Sequence, residues 1–262
     1  MVTMKKTLLV IVVTTIIVAC GSQKTAPSNS SKKIKKSVYQ KKADLFQNVK
    51  YLIGREQYNS AILNIDRIEE LELRDNDYEP YRYKAMILQV TGKKEEANQV
   101  YETIINALNA SAGEKKKSRQ LMAINNNPPI AMSHKTATKK DSISSKEAFK
   151  VIEMPPVYPG CENLPRESQT KCMSQKVAKH IVKTIDVNIA QVTDHTGFIR
   201  SYVNYEIDTT GTISKIRTSG KNKFLNLEAH RVMAQLPKVI PGMQLGKKVA
   251  VPYTIPIRFA TN

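Results

Sequence analysis

The stretch Phe198-Ile-Arg-Ser-Tyr-Val-Asn-Tyr-Glu-Ile207, with Asp208-Thr-Thr-Gly211 and Thr212-Ile-Ser-Lys-Ile-Arg-Thr218 after it, decides how the C-terminal part of this chain folds. Ile199, Val203, Tyr205 and Ile207 share one parity, with Ser201 as a gap, while Arg200, Asn204 and Glu206 share the other. Period-two alternation of this kind predicts a half-buried strand. Asp208 to Gly211 reads as a hairpin loop whose glycine supplies the positive φ of a bulged turn, so Thr212–Thr218 returns as a second strand. Leu225, Ala229, Val232, Met233 and Leu236 then recur at helical spacing until Pro237 stops the helix. After Ile240-Pro-Gly242 the chain enters a final strand, Val249-Ala-Val-Pro-Tyr-Thr-Ile-Pro-Ile-Arg-Phe259.

In that final strand Pro252 and Pro256 share a parity, so both missing N–H donors fall on one edge, with Thr254 the donor between them. The other edge, served by Val251, Tyr253, Ile255 and Ile257, is intact and is expected to pair with the sheet. Proline belongs on edge strands with its missing donor outward. Two readings of the outer edge stand at this point. It either accepts an extended peptide through its carbonyls, or the prolines only protect the edge from self-association.

Working outward, Met154-Pro-Pro-Val-Tyr-Pro-Gly-Cys-Glu162, Lys171-Cys172, Gly197, Ile207-Asp208, Gly211-Thr-Ile213, Glu228-Ala229, Leu236-Pro237, Pro241-Gly242 and Val251-Pro-Tyr253 with Ile255-Pro-Ile-Arg-Phe259 form an ensemble that resembles the C-terminal domain of the TonB family, in the form common in Bacteroidetes-type bacteria. The resemblance covers about residues 151–259. It implies an α+β domain with a three-stranded antiparallel sheet and helices, no catalytic centre, and capture of a short segment of an outer-membrane TonB-dependent transporter by strand addition. The partner strand would lie along Val249, Val251, Pro252, Tyr253, Thr254, Ile255, Pro256, Ile257 and Phe259. One stretch departs from the family pattern: Lys183–Val192 stands where a Tyr-Pro step and small residues are usual.

The other end of the chain speaks to location. Lys5 and Lys6 precede the short apolar run Thr7–Val18, and Ile17-Val-Ala-Cys20 follows a lipobox-like pattern. Residues 1–19 are therefore expected to be a lipoprotein signal, with Cys20 lipidated and the protein periplasm-facing, at the outer membrane rather than the inner. The apolar run is shorter than the roughly 20 residues a spanning helix needs. The competing reading keeps it as an uncleaved anchor, which would make the protein a true energy transducer. With Cys20 lipidated, Cys161 and Cys172 remain, and an even pair in an exported protein reads as a disulfide, with free thiols or a metal pair the alternatives, the latter lacking a His or acidic cluster to complete it.

Between these ends, residues 20–42 are rich in lysine and serine and are expected to be a flexible tether. Residues 43–110 are expected to be helical. Phe46, Val49, Leu52 and Ile53 form one face, Ala61, Ile65 and Ile68 the next, then Tyr81, Ala85 and Leu88, then Ala97, Tyr101 and Ile104. Ala61 and Ala97 are separated by close to the ~34-residue period of tetratricopeptide repeats. Two degenerate repeat units or a plain four-helix bundle both fit, and either leaves a surface for an envelope partner. Residues 111–150, poor in large apolar side chains, are expected to be a linker spanning about 35 Å as a flexible coil.

The net charge of +18 would ordinarily favour nucleic acid. It is concentrated in the two expected flexible stretches and sits behind an export signal, so no nucleic-acid partner is expected. His134, His180, His195 and His230 are scattered, and no zinc-hydrolase, nucleophile-elbow or phosphate-loop motif occurs. The chain is not expected to be an enzyme or to hold a metal or cofactor.

Overall fold

The computed structural model describes residues 29–71, 75–128, 152–193 and 196–261, with no side-chain description for 29–36 and 261. The chain divides into residues 1–39 and residues 40–262. Of the first unit the described part is the beginning of helix α1 (Asn29–Gly54), so the expected tether is helical from Asn29 onward. No helix among the described residues is long and apolar enough to cross a membrane. Cys20 and the expected signal lie outside the described residues.

Residues 40–262 are mixed α and β. The helical part continues through α2 (Tyr58–Glu69), α3 (Glu79–Val90), α4 (Lys94–Asn106) and α5 (Ala112–Asn126). α5 corrects the expectation of a linker over 111–150, of which 129–150 lie outside the described residues. Its start is locally encoded. The Ser111 hydroxyl accepts the Glu114 N–H at 3.1 Å, the N-terminal half of a capping box. Leu121 and Ile124 of α5 are buried against the other helices.

α3 is the centre of this part, in contact with α2, α4 and α5. That position explains a shift from the expected face. Tyr83, Met86 and Ile87 are fully buried beside Ala85 and Leu88, while Tyr81 is only half-buried. A helix enclosed on several sides buries most of its circumference rather than one stripe.

The C-terminal part holds α6 (Arg166–Thr184), a short 3-10 turn (Val187–Gln191), β1 (Gly197–Ile207), β2 (Ile213–Ser219), α7 (Lys223–Met233), β3 (Gly242–Gln244), β4 (Lys247–Val249) and β5 (Val251–Thr261). β2, β1 and β5 form an antiparallel sheet in that order, and β3 pairs with β4 in a separate two-stranded ribbon. The β1–β2 turn works as its residues suggest. The Asp208 carboxylate accepts the N–H groups of Thr210 and Thr212 at 2.8 and 3.0 Å, and Gly211 has φ +79°. Gly211 is required for a second reason: a Cβ there would lie 1.8 Å from the Val239 carbonyl oxygen.

The buried residues of the helical and sheet parts form one core. Phe224 of α7 stacks on Tyr58 at 6.2 Å and lies 6.3 Å from Tyr83, ring centre to ring centre. Around this contact runs a buried polar network. Arg82 of α3 reaches Glu114 of α5 at 2.9 Å and Asp186 at 3.1 Å. Lys117 also meets Asp186 at 2.7 Å. The Asp186 N–H donates to Glu228 at 2.7 Å, and Glu228 is paired with Arg231 at 2.6 Å. Arg231 closes the circuit by donating to Gln120 of α5 and to the Thr184 carbonyl. Burial works to raise the Asp186 carboxyl, but Arg82 and Lys117 outweigh it and hold the group below the ordinary carboxylate range.

Candidate functional site

β5 pairs with β1 without a break, from Gly197 opposite Thr261 to Ile207 opposite Val251. Tyr202 stands opposite Pro256, and Glu206 opposite Pro252. Proline has no N–H, so neither can belong to a pair that exchanges two hydrogen bonds. The alternation of an antiparallel ladder then directs the backbone groups of Val251, Tyr253, Ile255, Ile257 and Phe259 toward β1. Those of Pro252, Thr254, Pro256, Arg258 and Ala260 point away from the sheet, where no strand neighbours β5 among the described residues. That outer edge offers carbonyl acceptors at every outward position and N–H donors at Thr254, Arg258 and Ala260.

The opposite edge of the sheet is different. Asn204 opposite Arg217 and Glu206 opposite Ser214 leave one extra residue in β2, a bulge. Lys215 within it has φ +48° and pairs with Glu206 at 2.8 Å. A bulged, lysine-bearing strand is a poor template for pairing, whereas the regular edge of β5 is a good one.

One expected site residue lies elsewhere. Val249 belongs to β4 and pairs with Gly242, because the chain reverses at Leu245-Gly246, both with positive φ, and ends the ribbon before β5 starts. The remaining residues sort by face. Val251, Ile257 and Phe259 are buried in the core, Tyr253 and Ile255 are half-buried, and Pro252, Thr254 and Pro256 are exposed on the opposite face. The Thr254 hydroxyl donates to the Asn204 side chain at 2.6 Å, across to β1.

Beside the edge, on the helical side of the sheet, runs a groove of about 190 Å³. Its floor is made by Tyr205 and Tyr253, stacked at 5.4 Å, and by Ile255. Burial pushes both phenols above their ordinary range, so the floor stays neutral. Its wall is α6, through Met173, Val177 and Ile181. A separate hollow lies farther along β5, where Ile185, Val187 and Ala190 meet the end of the strand around Phe259. Pro156 closes the near end. Its segment is held by bridges from Met154 to Met243 and from Val157 to Ile240, and by a disulfide from Cys161 to Cys172 in the second turn of α6. The wall could not be placed from sequence, since α6 alternates lysines with small and apolar residues and gives no strong stripe.

A second cleft, of about 480 Å³, lies among α2, α3 and α4 and is lined by Glu69, Asp75, Asp77, Tyr78, Tyr81 and Lys84. Its charges are largely matched inside the chain, Lys42 to Asp75 and Asp77, and Lys84 to Asp66. Asp194 and His195, adjacent in sequence, lie outside the described residues. No protein-family model, curated protein or solved structure matches this chain.

Proposed function

We propose that this protein captures an extended segment of a partner by adding it as a strand to the outer edge of β5. The observation that carries the reading is the regular, strand-free edge over Pro252–Ala260 with an apolar groove along one side. In β-augmentation the main chain supplies affinity, and pockets for alternate side chains supply choice of partner. The prolines are compatible with this role. They remove two of the outward donors and leave the carbonyls, which allows a partner strand but weakens pairing between two copies of the edge.

The partner best matched to this edge is a segment of an outer-membrane TonB-dependent transporter or a related envelope protein. The support is the sequence resemblance of the C-terminal part to the TonB family and the export signal ending at Cys20. On this reading the protein is a lipid-anchored, periplasm-facing accessory to transport, and the tetratricopeptide-like helices brace the sheet. A cleaved, lipidated N-terminus would leave it without the inner-membrane helix through which a proton-driven motor pulls.

Isothermal calorimetry of the full chain with N-terminal plug peptides of the transporters tests the proposal. At least one peptide is expected to bind, and Thr254→Pro is expected to abolish that binding while leaving the thermal melt within a few degrees. Thr254 is the outward donor between the prolines, so its N–H serves no bond within the sheet. Failure of every plug peptide, or binding unchanged in Thr254→Pro, would sink the reading.

A scaffold role centred on the helical cleft is the second reading, favoured by Tyr78 and Tyr81 lining it. Deleting the helices is a poor test, because Tyr58 and Tyr83 cover Phe224. Substituting Tyr81, which is half-buried, probes the cleft and spares the core.

A further inference from the structure

The face of the sheet turned away from the groove carries charge that the fold itself does not use. Arg200 of β1 and Arg258 of β5 stand directly opposite each other on that face. Like charges so placed oppose folding. Neither guanidinium has a carboxylate partner among the described residues, and the acid on the same face, Glu206, is paired with Lys215. Arg258 is nevertheless held in place. Its guanidinium lies over the Phe198 ring, 4.5 Å from the centroid, although Phe198 is itself 64% exposed. Tyr202, 46% exposed, lies on the other side of Arg200 along β1. An arginine stacked on an aromatic face keeps its fork of donors oriented for a carboxylate.

Alternate residues of a strand added at β5 would point to opposite faces of the sheet. One set enters the groove over Tyr253 and Ile255. The other lies beside Pro252, Thr254, Pro256 and Arg258. Among those four, Arg258 alone carries a charge, with Arg200 one strand behind it.

We propose that the strand taken up by β5 bears an acidic side chain opposite Arg258, read by Arg258 and Arg200, with apolar side chains at the alternate positions that enter the groove. This rests on β5 being a strand acceptor. The acid would also fix register. A slip of two residues moves it beside Pro256 or Ala260, neither of which can bind a carboxylate.

The test uses the full chain and a synthetic peptide with valine at alternate positions, threonine between them, and one central glutamate. Two companions carry glutamine or lysine in place of the glutamate. The wild-type protein is expected to prefer the glutamate peptide over the glutamine one by about fivefold, as for an exposed but oriented ion pair. Arg258→Gln should remove that preference, and Arg258→Glu should turn it toward the lysine peptide. Arg258 is exposed, so both variants are expected to keep the wild-type melt. Equal binding of all three peptides that is still lost in Thr254→Pro overturns the acid-reading role and leaves strand capture standing. So does a glutamate preference that survives Arg258→Gln, which would place the contact on other cations. No binding by any peptide, or binding indifferent to Thr254→Pro, overturns strand capture and this inference together.

Discussion

Burial sets the chemistry of His230 in α7. Its Nδ1 is buried without a hydrogen-bond partner, and burial lowers its pKa from the ordinary value of 6.5 to about 4. Lys215 and Arg217 line the same hollow and bring no counter-charge to an imidazolium. The linkage sign follows from that. The unfolded chain takes a proton on this histidine below about pH 6.5, while the folded chain refuses it until about pH 4. His230 therefore contributes its full stability above pH 6.5, and the contribution drains away as the pH falls toward 4. The loss should amount to about 2–3 kcal/mol. Urea unfolding at pH 7 and pH 4.5 checks it. His230→Gln is expected to flatten the difference between the two pH values, and an unchanged difference would show that other groups carry the acid sensitivity.

Among elements, the two sheet edges and the wall of the groove matter most. The alternation of β1 and the shared parity of Pro252 and Pro256 were legible in the sequence because period-two burial and a missing N–H are local properties. The bulge at Lys215 was not, since it depends on how β2 meets β1. α5 was partly legible: the Ser111 cap with Glu114 is a local signal, but the lysine-rich stretch after it hides a helix whose burial depends on α3 and α4. The bond between Cys161 and Cys172 ties the wall formed by α6 to the segment that carries Pro156. Replacing both cysteines by alanine is expected to cost ~3 kcal/mol, as estimated for closing a short loop in the unfolded chain. Peptide affinity at β5 should fall as well, because Pro156 and Met173 line one groove and are tied together through that bond. Denaturant titration of the double variant, with peptide titration alongside, reads both effects.

At the scale of the molecule, the helices and the sheet form one body through Phe224 and the network around Arg82 and Asp186. Arg82→Met removes the buried guanidinium and leaves Lys117 to pair with Glu114 and Asp186; breaking a buried pair outright typically costs about 3–5 kcal/mol, and Lys117 offsets part of that loss. The expected outcome is a lower melting temperature and, in calorimetry, a broadened or double transition as the helices and sheet uncouple. A single cooperative transition at the wild-type temperature would show that the aromatic contact alone joins the parts. Sequence alone determined the strands of the C-terminal sheet, their turn, the helical runs before residue 111 and the proline edge. Each of these is written in spacing between near neighbours, which the backbone periods of 2 and 3.6 residues translate directly. Tertiary structure decided that the helices brace the sheet, that β5 begins at Val251 and leaves Val249 behind, that α6 walls a groove along the open edge, and that Arg200 and Arg258 meet without an acid between them. Those outcomes depend on which surfaces bury one another across long sequence separations, and no local period encodes that choice.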